Sequence, residues 1–119
     1  MKAIIYHNPC CSKSRQTLAL LEERGVDVEI VEYLKDAPDT GLLHGLMQAL
    51  GRPPREFIRR GEAPFTELGL AAKLADDEAL IAAIAAHPVL LERPIVVVGR
   101  RAAIGRPPEN VLALLDSTR

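Results

Sequence analysis

The sequence is poor in several features, and each shortage argues against a class of protein. Its 119 residues carry a net charge of −1, which gives no general attraction to nucleic acid or anionic lipid. No apolar run approaches the roughly 18 residues of a membrane span. The start, Met1-Lys2 and a short apolar strand, lacks the long core and cleavage site of a signal peptide. We therefore expect a cytoplasmic protein with no nucleic-acid or membrane partner.

Cysteine and histidine are scarce as well. The two cysteines, Cys10 and Cys11, are neighbours, and a bridge between adjacent residues would close a strained ring, so a structural disulfide is not expected. No Cys-x-x-Cys motif is present, because Ser14 stands three residues after Cys11. The three histidines are widely separated, which argues against a zinc site. A hydrophobic content of 48% is enough for one core, and we expect a single domain over residues 1–119.

The most informative stretch is His7-Asn8-Pro9-Cys10-Cys11-Ser12-Lys13-Ser14-Arg15. The pattern predicts a strand over residues 2–7 before it and an amphipathic helix over residues 12–24, with Ser12 as N-cap. Cys11 then lies at a helix N-terminus, where free N–H groups and the positive end of the helix dipole stabilise a thiolate and a bound anion. This position predicts a reactive sulfur at Cys11, whereas Cys10 is interpreted as a loop residue.

Periodicity and turn residues organise the rest of the chain. They predict a parallel strand over residues 26–33 and then four helical segments: one over 40–50, a short one beginning at Arg52-Pro53-Pro54, one around 65–68 and one over 77–86. A strand over 95–98, a turn at Gly99-Arg100-Arg101 and a strand over 102–104 are predicted to form a hairpin, and a last helix is predicted from Pro107-Pro108 to about 116. This order predicts the α/β class, with a thioredoxin-like fold and a helical insertion between its βαβ and ββα halves. In that fold a cis proline precedes the third strand, where Arg93-Pro94 stands.

Three motifs together carry a family resemblance. They are Tyr6-His7-Asn8-Pro9-x-Cys11-Ser12-x-Ser14-Arg15, Arg93-Pro94-Ile95-Val96-Val97 and Gly105-Arg106-Pro107. The chain resembles the glutaredoxin-linked arsenate reductase family, most closely its short members. The resemblance implies that Cys11 is the nucleophile, tuned by His7 and assisted by Ser14. It also implies that three arginines, Arg59, Arg93 and Arg106, surround the substrate oxyanion. Two residues of the cysteine loop, Asn8 and Ser12, complete the predicted set of oxyanion ligands.

The chemistry that the resemblance implies is reduction of arsenate to arsenite through a thiol-arsenate adduct on Cys11. Arsenate is a tetrahedral oxyanion, and arginine suits it because a planar guanidinium bridges two oxygens and stays charged. Glutathione is the implied co-substrate, glutaredoxin the implied partner that clears the mixed disulfide, and no tightly bound cofactor is expected. The expected partners are thus arsenate or a related oxyanion, glutathione and glutaredoxin.

Other interpretations of the same residues stay open. The arginines could be surface or ion-pair residues, His7 could simply end the first strand, and Ser14 could be an ordinary first-turn helix residue. The family also contains transcription regulators that bind RNA polymerase, so the second function considered is a redox or regulatory protein that binds a protein partner. Those regulators usually carry Cys-x-x-Cys, which Ser14 removes here, and the arginine set favours the enzyme.

Overall fold

The computed structural model describes residues 1–116 and divides into two compact units. The first unit comprises Met1–Asp36 and the chain from Arg93 onward, and the second comprises Ala37–Glu92. Within the described range the strands are β1 (Lys2–His7), β2 (Asp27–Glu32), β3 (Ile95–Val98) and β4 (Arg101–Ile104). The α-helices are α1 (Ser12–Glu23), α2 (Thr40–Leu50), α3 (Ala63–Glu67), α4 (Asp77–Ala86) and α5 (Leu112–Asp116).

The first unit contains a four-stranded sheet in the order β2-β1-β3-β4. Strand β1 runs parallel to β2 and antiparallel to β3, and β3 forms an antiparallel hairpin with β4. Helix α1 is the crossover that a parallel pair requires. The segment 37–92, with α2, α3 and α4, separates this βαβ part from the ββα part. The predicted α/β class and thioredoxin-like fold with a helical insertion are therefore confirmed.

The core of the first unit lies between the sheet and the helices of the same unit. Its buried members come from β1, α1, β3 and the C-terminal segment: Ala3, Ile5, Leu21, Val96, Val98, Val111 and Leu114. The continuous apolar run of β3 fits this central position, because a strand between two neighbours has little exposed surface. Packing of β1 and α1 into one core fixes the end of the strand and the start of the helix, and so positions the cysteine loop between them.

The second unit is built on α2 and α4. Each begins at an aspartate N-cap whose side chain accepts a backbone N–H: Asp39 from Leu42 and Asp76 from Ala79. Helix α2 ends at Gly51 with φ of 65°, the left-handed conformation that glycine adopts without a steric penalty. The buried faces of the two helices carry Leu43, Leu46, Leu80, Ile81, Ala83 and Ile84.

Three local predictions were wrong. The last helix, expected from Pro107-Pro108, opens with a 3-10 turn at Pro108–Val111 and is α-helical only over Leu112–Asp116. The N-cap of α1 is Cys11 and not Ser12, which is the first helical residue. The short helix expected from Arg52 onward is only a 3-10 turn at Pro54–Glu56. The chain leaves the helical path there because Ile58 forms an isolated antiparallel bridge with Leu91, a contact that local periodicity does not reveal.

Candidate active site

The loop between β1 and α1 is held by its own backbone and by two polar side chains. The Cys11 N–H donates to the Asn8 carbonyl at 3.0 Å, and the Cys10 N–H donates to Asn8 Oδ1 at 3.0 Å. From the first turns of α1, Arg15 Nη1 donates to the Pro9 carbonyl at 2.8 Å. These bonds fold the loop back on itself and present Cys11 at the helix start. Asn8, predicted as an oxyanion ligand, uses its side-chain oxygen within the loop.

Cys11 is partly exposed and occupies the N-cap of α1 with an extended backbone (φ −96°, ψ 122°). Burial raises the pKa of its thiol, but the Ser14 N–H, the Arg93 charge, the Lys13 N–H and the Arg106 side chain all favour the thiolate and together outweigh burial, so the pKa is lowered. The first turn of α1 contains no acidic residue that would oppose the thiolate. Ser12, the first helical residue, is exposed.

Two of the three predicted arginines belong to the same unit as Cys11 and act on its sulfur. Arg106 Nη1 lies 3.8 Å from Cys11 Sγ and donates to the Arg93 carbonyl at 3.2 Å. The Arg93 charge is one of the causes that lower the pKa of Cys11. The Arg93–Pro94 bond is cis, as expected from the fold, and Arg106–Pro107 is also cis. Both arginines therefore contribute positive charge at the start of α1.

His7 and Ser14 form a buried pair behind the cysteine loop. His7 Nδ1 lies 2.6 Å from Ser14 Oγ, which also accepts from the Asn8 N–H at 3.0 Å. His7 is 6% exposed and Ser14 fully buried. Burial lowers the pKa of His7, the charge of Glu32 opposes this, and the charge of Arg15 adds to it, so the net shift is downward. The hydrogen bond between His7 Nδ1 and Ser14 Oγ fixes the serine whose backbone N–H helps to lower the pKa of Cys11.

Arg59 has different surroundings in the structure. It belongs to the second unit. Its guanidinium pairs with the Glu62 carboxylate at 2.6 Å, and its backbone N–H donates to the Leu90 carbonyl at 2.7 Å. Both charged side chains are partly buried, with 24% and 28% exposed. The ion-pair interpretation considered for arginines thus fits Arg59, and its role as an oxyanion ligand stays a prediction.

Several residues with contacts near these side chains were given no role from the sequence. Glu62, three residues after Arg59, could have been suspected from its spacing. Arg15, which fastens the loop at Pro9, lies within the motif but had no assigned role. Thr17 and Gly105 contact each other across 88 positions of sequence, and no local pattern indicates that contact.

Among residues 1–116, no group of three or more His, Cys, Asp or Glu side chains is arranged to hold a metal ion. No helix in this range is long and apolar enough to cross a membrane.

Comparison with known proteins places these features in a family. A model described as ArsC family matches residues 6–114. An arsenate reductase of Neisseria meningitidis serogroup B (strain MC58) is 49% identical over 112 residues, which cover 93% of this chain and 96% of that protein. YfgD of Escherichia coli K12, called uncharacterized, is 50% identical over 112 residues, covering 93% and 94%. The solved structure of an arsenate reductase from Vibrio cholerae has a TM-score of 0.91 and 48% identity, covering 95% of this chain and 97% of that one. The chain belongs to the ArsC family.

Proposed function

We propose that this protein is an oxidoreductase that reduces arsenate to arsenite, with Cys11 as nucleophile and glutathione and glutaredoxin as electron donors. The observation that carries the proposal is the Cys11 sulfur at the start of α1, 3.8 Å from Arg106 Nη1 and with a lowered pKa. A thiolate and an oxyanion repel each other, so this reaction needs fixed positive donors at the point where they meet. The names of the family relatives agree with an oxyanion substrate.

The first step forms a bond between Cys11 Sγ and arsenic. The thiolate attacks arsenate, a hydroxide leaves and takes up a proton to become water, and arsenic stays pentavalent in the adduct. Arg106 and Arg93 stabilise the charge on the arsenate oxygens as the bond forms. Asn8, Ser12 and Arg59 complete the proposed set of oxyanion ligands, and His7 and Ser14 hold the helix start that lowers the pKa of Cys11.

The second step transfers two electrons. A glutathione thiolate attacks Cys11 Sγ and forms a disulfide, while the electron pair of the sulfur–arsenic bond stays on arsenic, which leaves as arsenite. A glutaredoxin thiolate then attacks the glutathione sulfur of the mixed disulfide and releases Cys11 as thiolate. An external thiol is required because Cys10 is too close to Cys11 for an unstrained bridge and the sequence has no cysteine after residue 11.

The activity is tested by arsenate-dependent NADPH consumption with glutathione, glutaredoxin and glutathione reductase, compared with the same mixture lacking arsenate. Replacing the glutaredoxin system by thioredoxin and its reductase identifies the donor. Absence of arsenate-dependent turnover with both donors would contradict the proposed activity. Turnover with thioredoxin alone would contradict the donor only.

The need for an outside thiol is tested in a single turnover. Reduced protein is incubated with arsenate and no other thiol, then analysed by intact mass and peptide mapping. We expect the reaction to stop at the Cys11 adduct until glutathione is added. Stoichiometric arsenite release with a Cys10–Cys11 disulfide would rule out this cycle.

A further inference from the structure

We propose that the contact between Thr17 and Gly105 sets the position of Arg106 beside Cys11, which makes Thr17 and Gly105 positioning residues of the site. All four residues belong to the first unit. The inference rests on the proposed function in taking Cys11 as the reacting sulfur, and it does not depend on which oxyanion is the substrate.

Thr17 connects the first turns of α1 to the loop that follows β4. It is fully buried, although it carries a hydroxyl group. Its Oγ1 donates to the Lys13 carbonyl at 2.8 Å and lies 3.4 Å from the Gly105 carbonyl. The Lys13 N–H is one of the groups that lower the pKa of Cys11. Thr17 therefore touches both the helix start and the backbone that leads into Arg106.

Gly105 is packed so tightly that a side chain has no room there. A Cβ atom at this position would lie 2.5 Å from Thr17 Oγ1 and 2.8 Å from Pro94 Cγ. The Gly105 N–H also donates to the Pro94 carbonyl at 2.9 Å. Glycine is needed here because of this close approach, so the loop reaches its distance from α1 only while residue 105 lacks a side chain.

The position of Gly105 determines where the backbone of Arg106 begins, because the two residues are neighbours in the chain. The Arg106 carbonyl accepts from Asn110 Nδ2 at 3.1 Å, which ties the backbone on the other side. Arg106 Nη1 then reaches both the Arg93 carbonyl and Cys11 Sγ. Because the Nη1–Sγ distance of 3.8 Å is already long, a small outward shift of the loop would remove most of this interaction.

The test measures the reactivity of Cys11 without arsenate, in a Cys10→Ser background so that one thiol reports. The rate of iodoacetamide alkylation is followed against pH. Gly105→Ala should raise the apparent pKa of Cys11 and slow alkylation below that pKa by about three- to tenfold, as expected when part of a charge-assisted hydrogen bond is lost. Adding Thr17→Ala should restore part of the rate, since it removes Thr17 Oγ1 and Cγ2, two of the three atoms that the new Cβ meets, while Pro94 Cγ remains.

Gly45→Ala in α2 is the matched control, because a Cβ there meets open space and the rate should equal that of the Cys10→Ser parent. A positioning effect moves the midpoint of the pH profile, whereas simple loosening of the fold raises the rate at every pH. Circular dichroism and thermal unfolding establish that each variant is folded.

If Gly105→Ala does not yield folded protein, the pH profile of Cys11 alkylation in Thr17→Val tests the proposal instead. This substitution keeps the size of the side chain but replaces Oγ1 by a methyl group, so we expect a smaller shift of the same sign, with Thr17→Ser closer to the parent protein. A folded Gly105→Ala or Thr17→Val variant with the parent pH profile would overturn the proposal, as would a double variant that recovers nothing. Failure of arsenate turnover would leave these results unaffected and would count only against the proposed function.

Discussion

Three helices of this protein begin in two different ways. At α2 and α4 the N-cap is an aspartate, and its carboxylate accepts the N–H of the third helical residue, Leu42 or Ala79. At α1 the N-cap is Cys11, whose side chain makes no capping hydrogen bond, and the N–H of the third helical residue, Ser14, instead helps to lower the pKa of its thiol. The same backbone position stabilises a helix in the second unit and a thiolate in the first.

The charged residues near the helix starts also differ between α4 and α1. Helix α4 has Asp77 and Glu78 in its first turn, which complement the helix dipole. Helix α1 has no acidic residue there, and Arg93 and Arg106 add positive charge at its N-cap. The dipole and both arginines therefore act on one sulfur, which indicates that α1 begins with a residue suited to chemistry instead of one suited to stability.

The largest expected effect comes from giving α1 the oxygen cap of the other helices. Cys11→Ser should abolish arsenate turnover, because no thiolate remains, while the melting temperature should stay level or rise, because serine is a favoured N-cap. The coupled NADPH assay and thermal unfolding measure the two quantities. Cys10→Ser is the control and should retain most activity. Turnover that survives Cys11→Ser but is lost in Cys10→Ser would reverse the assignment.

Removing the positive charge from the start of α1 should give the next largest effect. Arg106→Ala or Arg93→Ala should reduce kcat/KM by a factor equivalent to about 2–4 kcal/mol, the scale for loss of a preorganised donor in a transition state. Each change should also raise the pKa of Cys11, because a cause of its lowering is gone. Arg100→Ala, at an exposed turn residue, is the control for loss of an arginine. Folded variants with parental kcat/KM would identify Arg93 and Arg106 as surface charges.

Arg59 offers a sharper form of the same comparison, because Glu62 already neutralises it. If Arg59 binds the oxyanion, Glu62→Gln should free the positive charge of Arg59 and lower KM by about two- to fivefold. A change of this size corresponds to the energy of one partly exposed ion pair. Arg59→Ala should raise KM. The matched control is Glu56→Gln, which breaks the more exposed Arg52–Glu56 pair and should change nothing. An unchanged KM in both Arg59→Ala and Glu62→Gln would remove Arg59 from the proposed site.

Some features of the fold and the site could be predicted from the sequence because their signals are local, whereas others needed the family resemblance. The bounds of α2 and α4 followed from periodicity and turn residues, which are local signals. The position of Cys11 at a helix start was local too. Arg93 and Arg106 were expected near the site only through the family resemblance, because loops before β3 and after β4 meet Cys11 through the fold of the sheet.

Predictions failed where a distant partner decides the local structure. The helix expected after Arg52 stops because Ile58 pairs with Leu91, far along the chain. The packing of Gly105 against Thr17 and Pro94 was not foreseen for the same reason. The contact between Ser14 and His7 likewise depends on how the start of α1 lies against the end of β1, whereas the Arg59–Glu62 pair is local in sequence.

The buried pair of His7 and Ser14 behind α1 should make the stability of the protein depend on pH. Since the folded-state pKa of His7 lies below its ordinary value of about 6.5, the unfolded chain binds more protons in the window below that value. The free energy of unfolding should therefore fall as the pH falls through this window. Denaturant unfolding at several pH values should show a shallower slope in His7→Gln than in the parent.

His87→Gln, which removes an exposed imidazole, separates the effect of His7 from loss of any histidine. A Ser14→Ala variant should also change the pH dependence, because Ser14 Oγ is the 2.6 Å partner of His7 Nδ1. A slope that is identical in the parent, His7→Gln and Ser14→Ala would show that this pair does not contribute to the pH dependence of stability.

The smallest effect is expected at the starts of α2 and α4, and it concerns stability alone. Asp39→Ala or Asp76→Ala removes an oxygen that accepts a backbone N–H, at 2.8 Å and 3.1 Å respectively. Each should lower the free energy of unfolding by about 1 kcal/mol, the usual cost of losing an N-cap, while Asp→Asn keeps an acceptor and should cost less. The alkylation profile of Cys11 should not change, because these caps serve their own helices. An altered profile would mean that the aspartate caps also influence the cysteine site, and the contrast between the two kinds of helix start would then fail.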